Sequence, residues 1–280
     1  MEKAIKKYFP LFVLPTFLAF TIGFIVPFIE GVYLSLCKFT TVIDAKWVGL
    51  ENYAKLWGDE TFVHAFWYTA LFALISRVVI NVLALVIAMA LTRGIRGTNA
   101  FRTIFFMPNL IGGIVLGYVW QLILNGILVQ FGRTLVYSEW YGFWGLMILM
   151  CWQQIGYMMI IYIAGLQTIP GELIEAAKID GATRWQTFKN VTVPMLMPSI
   201  TICTFLTLTN SFKLFDQNLS LTAGEPAKLS QLLALNIYDT FYGRSGWEGV
   251  GQAKAVVFFL LVVLIALFQL RLTRRKEVQS

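Results

Sequence analysis

Charge is scarce in this sequence: Asp, Glu, Lys and Arg make up only 13% of its 280 residues, against about 25% in a soluble domain. Histidine is nearly absent. No Ser-His-Asp set and no His/Cys/Asp/Glu cluster can be assembled around the single His64, which argues against a membrane enzyme and leaves this residue as an interfacial one. The three cysteines, Cys37, Cys151 and Cys203, are an odd number at no ligand-like spacing. They indicate neither a disulfide framework nor a metal site and read as small apolar fillers. The chain also lacks the Gly-x-x-x-x-Gly-Lys-Ser/Thr pattern that cradles nucleotide phosphates, so it is not itself an ATPase of that type and is expected to hold no cofactor. It shows no internal repeat and no low-complexity tract. Its first apolar run, residues 9–36, is too long for a signal-peptide core and has no small-residue cleavage site, so it is expected to remain as a spanning helix.

Apolar surface, by contrast, is in excess. Hydrophobic residues make up 58% and aromatic residues 15%, and the mean hydropathy is +0.70. This composition predicts an all-α integral membrane protein, because in lipid a helix satisfies its own backbone. Taking about 20 apolar residues per crossing, the chain reads as one transmembrane domain, 1–280, with six spans at about 9–36, 63–91, 104–124, 142–166, 195–214 and 255–272. An even number puts both termini on one side. Lys3, Lys6, Lys7, Arg93, Arg96 and Arg102 fall on that side, followed by Lys178, Arg184, Lys189, Arg271, Arg274, Arg275 and Lys276, thirteen in all against seven in the opposite loops. The bias predicts cytoplasmic termini. The net charge of +7 is therefore a set of membrane flanks and not a nucleic-acid surface. On the outer side Trp47 and Trp57 flank an amphipathic stretch suited to the interface.

One polar segment, residues 169–196, interrupts the apolar second half. Pro170 and Gly171 break what precedes, Glu172 and Glu175 lie in the first turns of a new helix where acids suit the positive dipole end, and Gly181 supplies a left-handed stop. Thr183 followed by Gln186 is a capping-box signature, and the helix it starts must end or kink near Pro194 and Pro198. Alanines at 176, 177 and 182 keep one face thin enough for close approach by a partner, while Glu175, Lys178 and Asp180 offer polar contacts.

The spacing Glu175-Ala176-Ala177, three residues, Gly181, nine residues, Val191, one residue, Val193-Pro194 resembles the EAA loop of binding-protein-dependent ABC importer permeases. Phe215-Asp216, Gly224-x-Pro226, and Ile237-Tyr238 with Phe241 look like the sugar-importing, maltose-type branch, although Glu225 and Ser230 depart from its outer-loop pattern. The resemblance implies the type I importer permease fold in a bacterial inner membrane. It makes Glu172, Glu175, Ala176, Ala177, Asp180, Gly181 and Ala182 a coupling helix and turn that dock on an ATPase. It implies a second, related permease chain, two copies of the ATPase carrying the ATP and Mg, and an extracytoplasmic sugar-binding protein.

Within the spans, the informative residues are uncharged. Asn109 follows Pro108, Gln153, Gln154 and Tyr157 lie in the fourth span, and Thr207, Asn210 and Ser211 lie in the fifth. Amides and hydroxyls suit a ligand made of hydroxyls, since each buried donor or acceptor needs a partner. The resemblance places these residues at or beside the sugar site, and interhelical hydrogen bonding is the competing role. Arg77, near the middle of the second span, calls for a partner, with Glu30 and Asp216 as candidates. An ABC importer for a polyamine or an organophosphate, or a proton-driven carrier, is the alternative. A polyamine would need acids, a phosphate would need Arg or a helix amino terminus, and the spans offer neither set.

Overall fold

The computed structural model describes residues 2–94 and 96–274; Arg275 and Lys276 of the basic count lie outside them. In chain order the helices begin with α1 (Glu2–Phe20) and α2 (Val26–Ser35), joined by a π turn at Thr21–Ile25. A two-residue antiparallel ladder follows, β1 (Cys37–Lys38) with β2 (Lys46–Trp47). Then come α3 (Glu51–Trp57), α4 (Glu60–Leu91), α5 (Thr98–Phe106), α6 (Gly113–Leu128) and α7 (Glu139–Gln167). The remainder is α8 (Gly171–Ile179), α9 (Arg184–Thr187), α10 (Val193–Met195), α11 (Met197–Phe212), α12 (Asp216–Leu221), α13 (Leu233–Gly243) and α14 (Glu248–Arg274).

Among the described residues, five helical stretches are long and apolar enough to cross a membrane: Phe12–Ser35, Glu60–Leu91, Gly113–Phe131, Glu139–Gln167 and Glu248–Arg271. Arg184–Met195 with Met197–Phe212 makes a sixth when this pair, bent by 71°, counts as one span. Proline explains both irregular stretches. A proline has no N–H to donate back into the preceding turn, and the π turns at Thr21–Ile25 and Phe188–Thr192 end two residues before Pro27 and Pro194. Pro198 then opens α11 at its second position, just after the bend. The third span differs from the sequence expectation. Residues 104–124 do not form one helix: α5 gives way to a 3₁₀ turn at Met107–Leu110, Ile111 and Gly112 are extended, and α6 starts only at Gly113.

The chain divides into two compact units. Unit 1 comprises residues 1–60 and 237–260. Here Asn52 is buried and its Nδ2 donates to the carbonyls of Ser35 (2.9 Å) and Cys37 (2.8 Å), which holds α3 under the ladder. Lys254 is fully buried, and its Nζ donates to Asp59 Oδ2 at 2.8 Å and to Thr240 Oγ1 at 2.7 Å, while Arg244 Nη1 reaches the same carboxylate at 3.1 Å. A buried cation is tolerable only when paired in this way. In the ladder's turn, hydrogen bonds from the Thr41 and Thr40 N–H groups hold the Asp44 carboxyl below its usual pKa.

Unit 2, residues 61–236 and 261–280, is centred on α7, the most buried of the spans. Small residues let its neighbours come close. A Cβ at Gly156 would strike the Phe105 carbonyl of α5, and one at Gly165 would strike Ser199 of α11. On α6, a Cβ at Gly113 would lie 2.7 Å from Asp216 Cβ, and Gly117 faces Ser220, so α12 packs directly on that helix. Such contacts replace the hydrophobic drive that is missing between helices in lipid. Asn218 of α12 ties down the loop that follows, accepting from the Leu232 N–H (2.8 Å) and donating to the Ser230 carbonyl (2.9 Å), and buried Ser230 donates to the Glu225 carbonyl.

Candidate functional site

A cleft of about 340 Å³ in unit 2 is lined by Asn109, Gln153, Gln154 and Asn210. The segment that runs from the end of α11 into α12 completes it with Lys213, Leu214, Phe215, Asp216 and Gln217. Four of the sequence-nominated residues therefore converge from three places. Asn109 comes from the helix break at Met107–Leu110, Gln153 and Gln154 from α7, and Asn210 from α11. The break is what turns Asn109 inward, since its backbone sits in a 3₁₀ turn between two helices and not on a helix face.

These amides are only lightly used by the protein. Gln153 accepts from Gln217 Nε2 at 2.9 Å and makes a long bond (3.4 Å) to the Ile111 carbonyl, while Gln154 accepts from Asn210 Nδ2 at 3.3 Å. An amide can make about four hydrogen bonds. Most of that capacity remains open toward the cleft, beside one lysine and one aspartate whose charges balance.

Thr207, Ser211 and Tyr157 are placed elsewhere. Thr207 and Ser211 are fully buried and point at α4. Asn81 Nδ2 donates to Thr207 Oγ1 at 3.2 Å, Tyr162 donates to Asn81 Oδ1 at 2.8 Å, and Ser211 and Ser76 share a hydroxyl contact of 2.8 Å. Each hydroxyl also bonds the carbonyl four residues back, Thr207 to Cys203 and Ser211 to Thr207, both at 2.7 Å. A residue advances about 100° around a helix, so Asn210 turns into the cleft while its neighbour Ser211 faces α4. Tyr157 lies one turn along α7 from Gln153, with its ring 6.3 Å from that of Phe106, outside the cleft lining. Arg77 is half-buried and, among the described residues, makes no ion pair. Asp216, one of its two expected partners, lines the cleft instead.

Residues that the sequence reading missed are Lys213 and Gln217 in the cleft, and Ser76, Asn81 and Tyr162 in the closed seam. The available signal was Ser76, Arg77 and Asn81 within one otherwise apolar span.

The polar segment after α7 forms helix, glycine turn and helix. The Gly181 N–H bonds the Lys178 carbonyl (3.1 Å), the Ala182 N–H bonds the Ala177 carbonyl (2.9 Å), and Gly181 has φ +76°. This is the doubled bond pattern of a Schellman stop. Thr183 then caps α9, with its N–H donating to Gln186 Oε1 at 2.7 Å and the Gln186 N–H returning to Thr183 Oγ1 at 3.3 Å. Glu172, Glu175, Ala176 and Asp180 are exposed, and Ala177 and Ala182 are half-buried. Large apolar side chains stand open beside them, with Ile179 86% and Trp185 69% exposed.

The model of the family described as binding-protein-dependent transport system inner membrane component matches residues 80–278. The chain belongs to that family. It is thus a multi-pass inner-membrane subunit of a binding-protein-dependent ABC transport system, a transport subunit and not a catalyst. Across 278 residues it is 44% identical to the probable starch degradation products transport system permease protein AmyD of Thermoanaerobacterium thermosulfurigenes, covering 96% of this chain and 94% of that one. It is 29% identical to the multiple sugar-binding transport system permease protein MsmF of Streptococcus mutans, covering 99% of each. Its fold matches a chain in the crystal structure of a bacterial alginate ABC transporter in complex with an alginate pentasaccharide-bound periplasmic protein, with a TM-score of 0.81, 20% identity, and 98% and 97% of the two chains covered.

Proposed function

We propose that this inner membrane component forms half of the translocation pathway of an ATP-driven carbohydrate importer, and that the sugar passes through the cleft of Asn109, Gln153, Gln154 and Asn210. The observation that carries this reading is the set of amides with unused hydrogen-bonding capacity in one cleft. A sugar presents many hydroxyls and no charge, which suits amides better than it suits the seam, whose groups are already paired. The names of the relatives agree, since AmyD and MsmF are described as permeases for starch degradation products and for multiple sugars.

Family membership supports our reading of the rest of the assembly. Residues 1–280 act as one permease domain, with the bent pair as the fifth span and both termini cytoplasmic, as the basic bias requires. A second, different permease chain supplies the other half of the pathway, two ATPase copies hold ATP and Mg, and an extracytoplasmic protein delivers the sugar. The exposed face of α8, from Glu172 to Asp180, with the stop at Gly181 and Ala182, docks on one ATPase copy. Closure of the ATPase pair then shifts the bundle between inward- and outward-open states, which requires that the two states differ in contacts.

The test is transport by the whole complex reconstituted in liposomes. A malto-oligosaccharide-loaded binding protein should stimulate ATP hydrolysis and lead to sugar accumulation, and Glu175→Lys should abolish both while leaving the permease inserted. Accumulation of a polyamine or glycerol 3-phosphate in place of sugar would overturn the substrate class. Normal coupling in Glu175→Lys would overturn the docking role of α8.

A further inference from the structure

Unit 2 has a second cavity that shares no residue with the amide cleft. Its volume is about 260 Å³, and it lies where α6 turns into α7. Leu135, 1% exposed, and Gly145 form its floor, Leu124 and Leu128 its inner wall, and the half-exposed Trp140 and Trp144 part of its rim. The lining is apolar apart from the Tyr141 hydroxyl and the indole N–H groups, so this cavity offers a sugar almost nothing.

Its shape is built in. Gly132 adopts φ +67°, the Arg133 N–H returns to the Leu128 carbonyl (3.1 Å), and the Leu135 N–H bonds Asn125 Oδ1 (2.9 Å), which together tuck Leu135 under the turn. At 145 only glycine leaves the space open, because a Cβ there would come within 2.8 Å of Leu135 Cδ2. At the rim, exposed Arg133 lies over the rings of Tyr137 (5.2 Å) and Tyr141 (5.7 Å) and donates to the Tyr141 hydroxyl. A guanidinium is not deprotonated in proteins, so the group is a permanent cation. Only one of its five N–H donors is engaged there.

We propose that this cavity holds one acyl chain of an anionic phospholipid, with Arg133 binding the lipid phosphate. The elements stand side by side as such a molecule needs. Aromatic residues at 137, 140, 141 and 144 cluster at one helix end, as they do at headgroup level. The apolar cavity adjoins them, and a fork-shaped donor matched to phosphate stands at its rim. A helix of another chain could fill the apolar part but would give the cation no phosphate.

The experiment uses the assembled transporter in nanodiscs of mixed phosphatidylglycerol and phosphatidylcholine, with retained lipid counted by native mass spectrometry after detergent extraction. The wild-type complex should retain phosphatidylglycerol in preference to phosphatidylcholine. Leu128→Trp and Ile148→Trp, which fill the cavity from opposite walls, should both remove it. Arg133→Gln should lower phosphatidylglycerol retention roughly tenfold, the loss of one charge-assisted contact, and leave phosphatidylcholine unchanged. Two filling variants guard against one that fails to assemble. Undiminished phosphatidylglycerol in an assembled filling variant would overturn the cavity as the site. Equal retention of the two lipids, or no effect of Arg133→Gln, would overturn the role of the headgroup.

Discussion

Along α7 and α11, Gln153, Gln154 and Asn210 turn amides with open hydrogen-bonding capacity into a cleft of about 340 Å³, whereas one to three turns away Tyr162 and Thr207 close on Asn81 of α4. The two regions use similar uncharged groups on the same pair of helices. They differ in what stands opposite. Across the seam is α4, where Asn81 pairs with both Thr207 and Tyr162 and Ser76 pairs with Ser211, and the Thr207 and Ser211 hydroxyls are also committed to the carbonyls four residues back. Across the cleft is the irregular segment from Lys213 to Gln217 and the broken helix at Asn109, where neither backbone continues regularly enough to fill the space. A polar group within a membrane span therefore marks either cohesion or passage, and backbone regularity on the far side decides between them.

The comparison can be broken at three points. The largest effect is expected in the seam. Asn81→Leu orphans the buried Tyr162 hydroxyl, at a cost of about 1–3 kcal/mol, and removes one donor from Thr207, which keeps its bond to the Cys203 carbonyl. Thermal unfolding of the purified complex should shift downward while uptake per assembled complex stays normal, and lost uptake with unchanged unfolding would reverse the roles of the two regions.

Next come Gln153→Ala and Gln154→Ala, each of which removes a group facing the cleft. One lost hydrogen bond to a neutral ligand amounts to about 0.5–1.5 kcal/mol, so sugar uptake per complex should fall several-fold without a change in unfolding. Wild-type uptake in both would mean that the cleft is not on the pathway.

Ser211→Ala should have the smallest effect. An interhelical hydrogen bond in a membrane bundle averages about 0.6 kcal/mol, and Ser76 keeps its bond to the Ala73 carbonyl. A slight loss of stability with normal uptake is expected, and a transport defect as large as that of Gln153→Ala would place Ser211 on the pathway after all.

How much of this was legible depended on whether the controlling interaction was local. The Gly181 stop and the Thr183 cap could be read directly, because each is fixed by residues within five positions. The long apolar runs gave the spans for the same reason. Pro108 and Gly112 were visible too, but nothing nearby states whether a neighbour will re-satisfy the freed backbone. The third span consequently starts at Gly113 and not near residue 104. Periodicity puts residues four apart, such as Thr207 and Ser211, on one face, yet it reports an azimuth on a helix and says nothing of which helix lies there. Lys213 and Gln217 escaped because they lie beyond the end of α11, where periodicity stops.

The 71° bend between Arg184–Met195 and Met197–Phe212 makes the chain a crank. The two prolines beside it carry no N–H, so the corner sacrifices fewer backbone bonds than a straight helix would lose if forced to fold there. A push along the first arm reaches the second mostly crosswise, as torque, and would swing Asn210 sideways rather than slide it along its own axis.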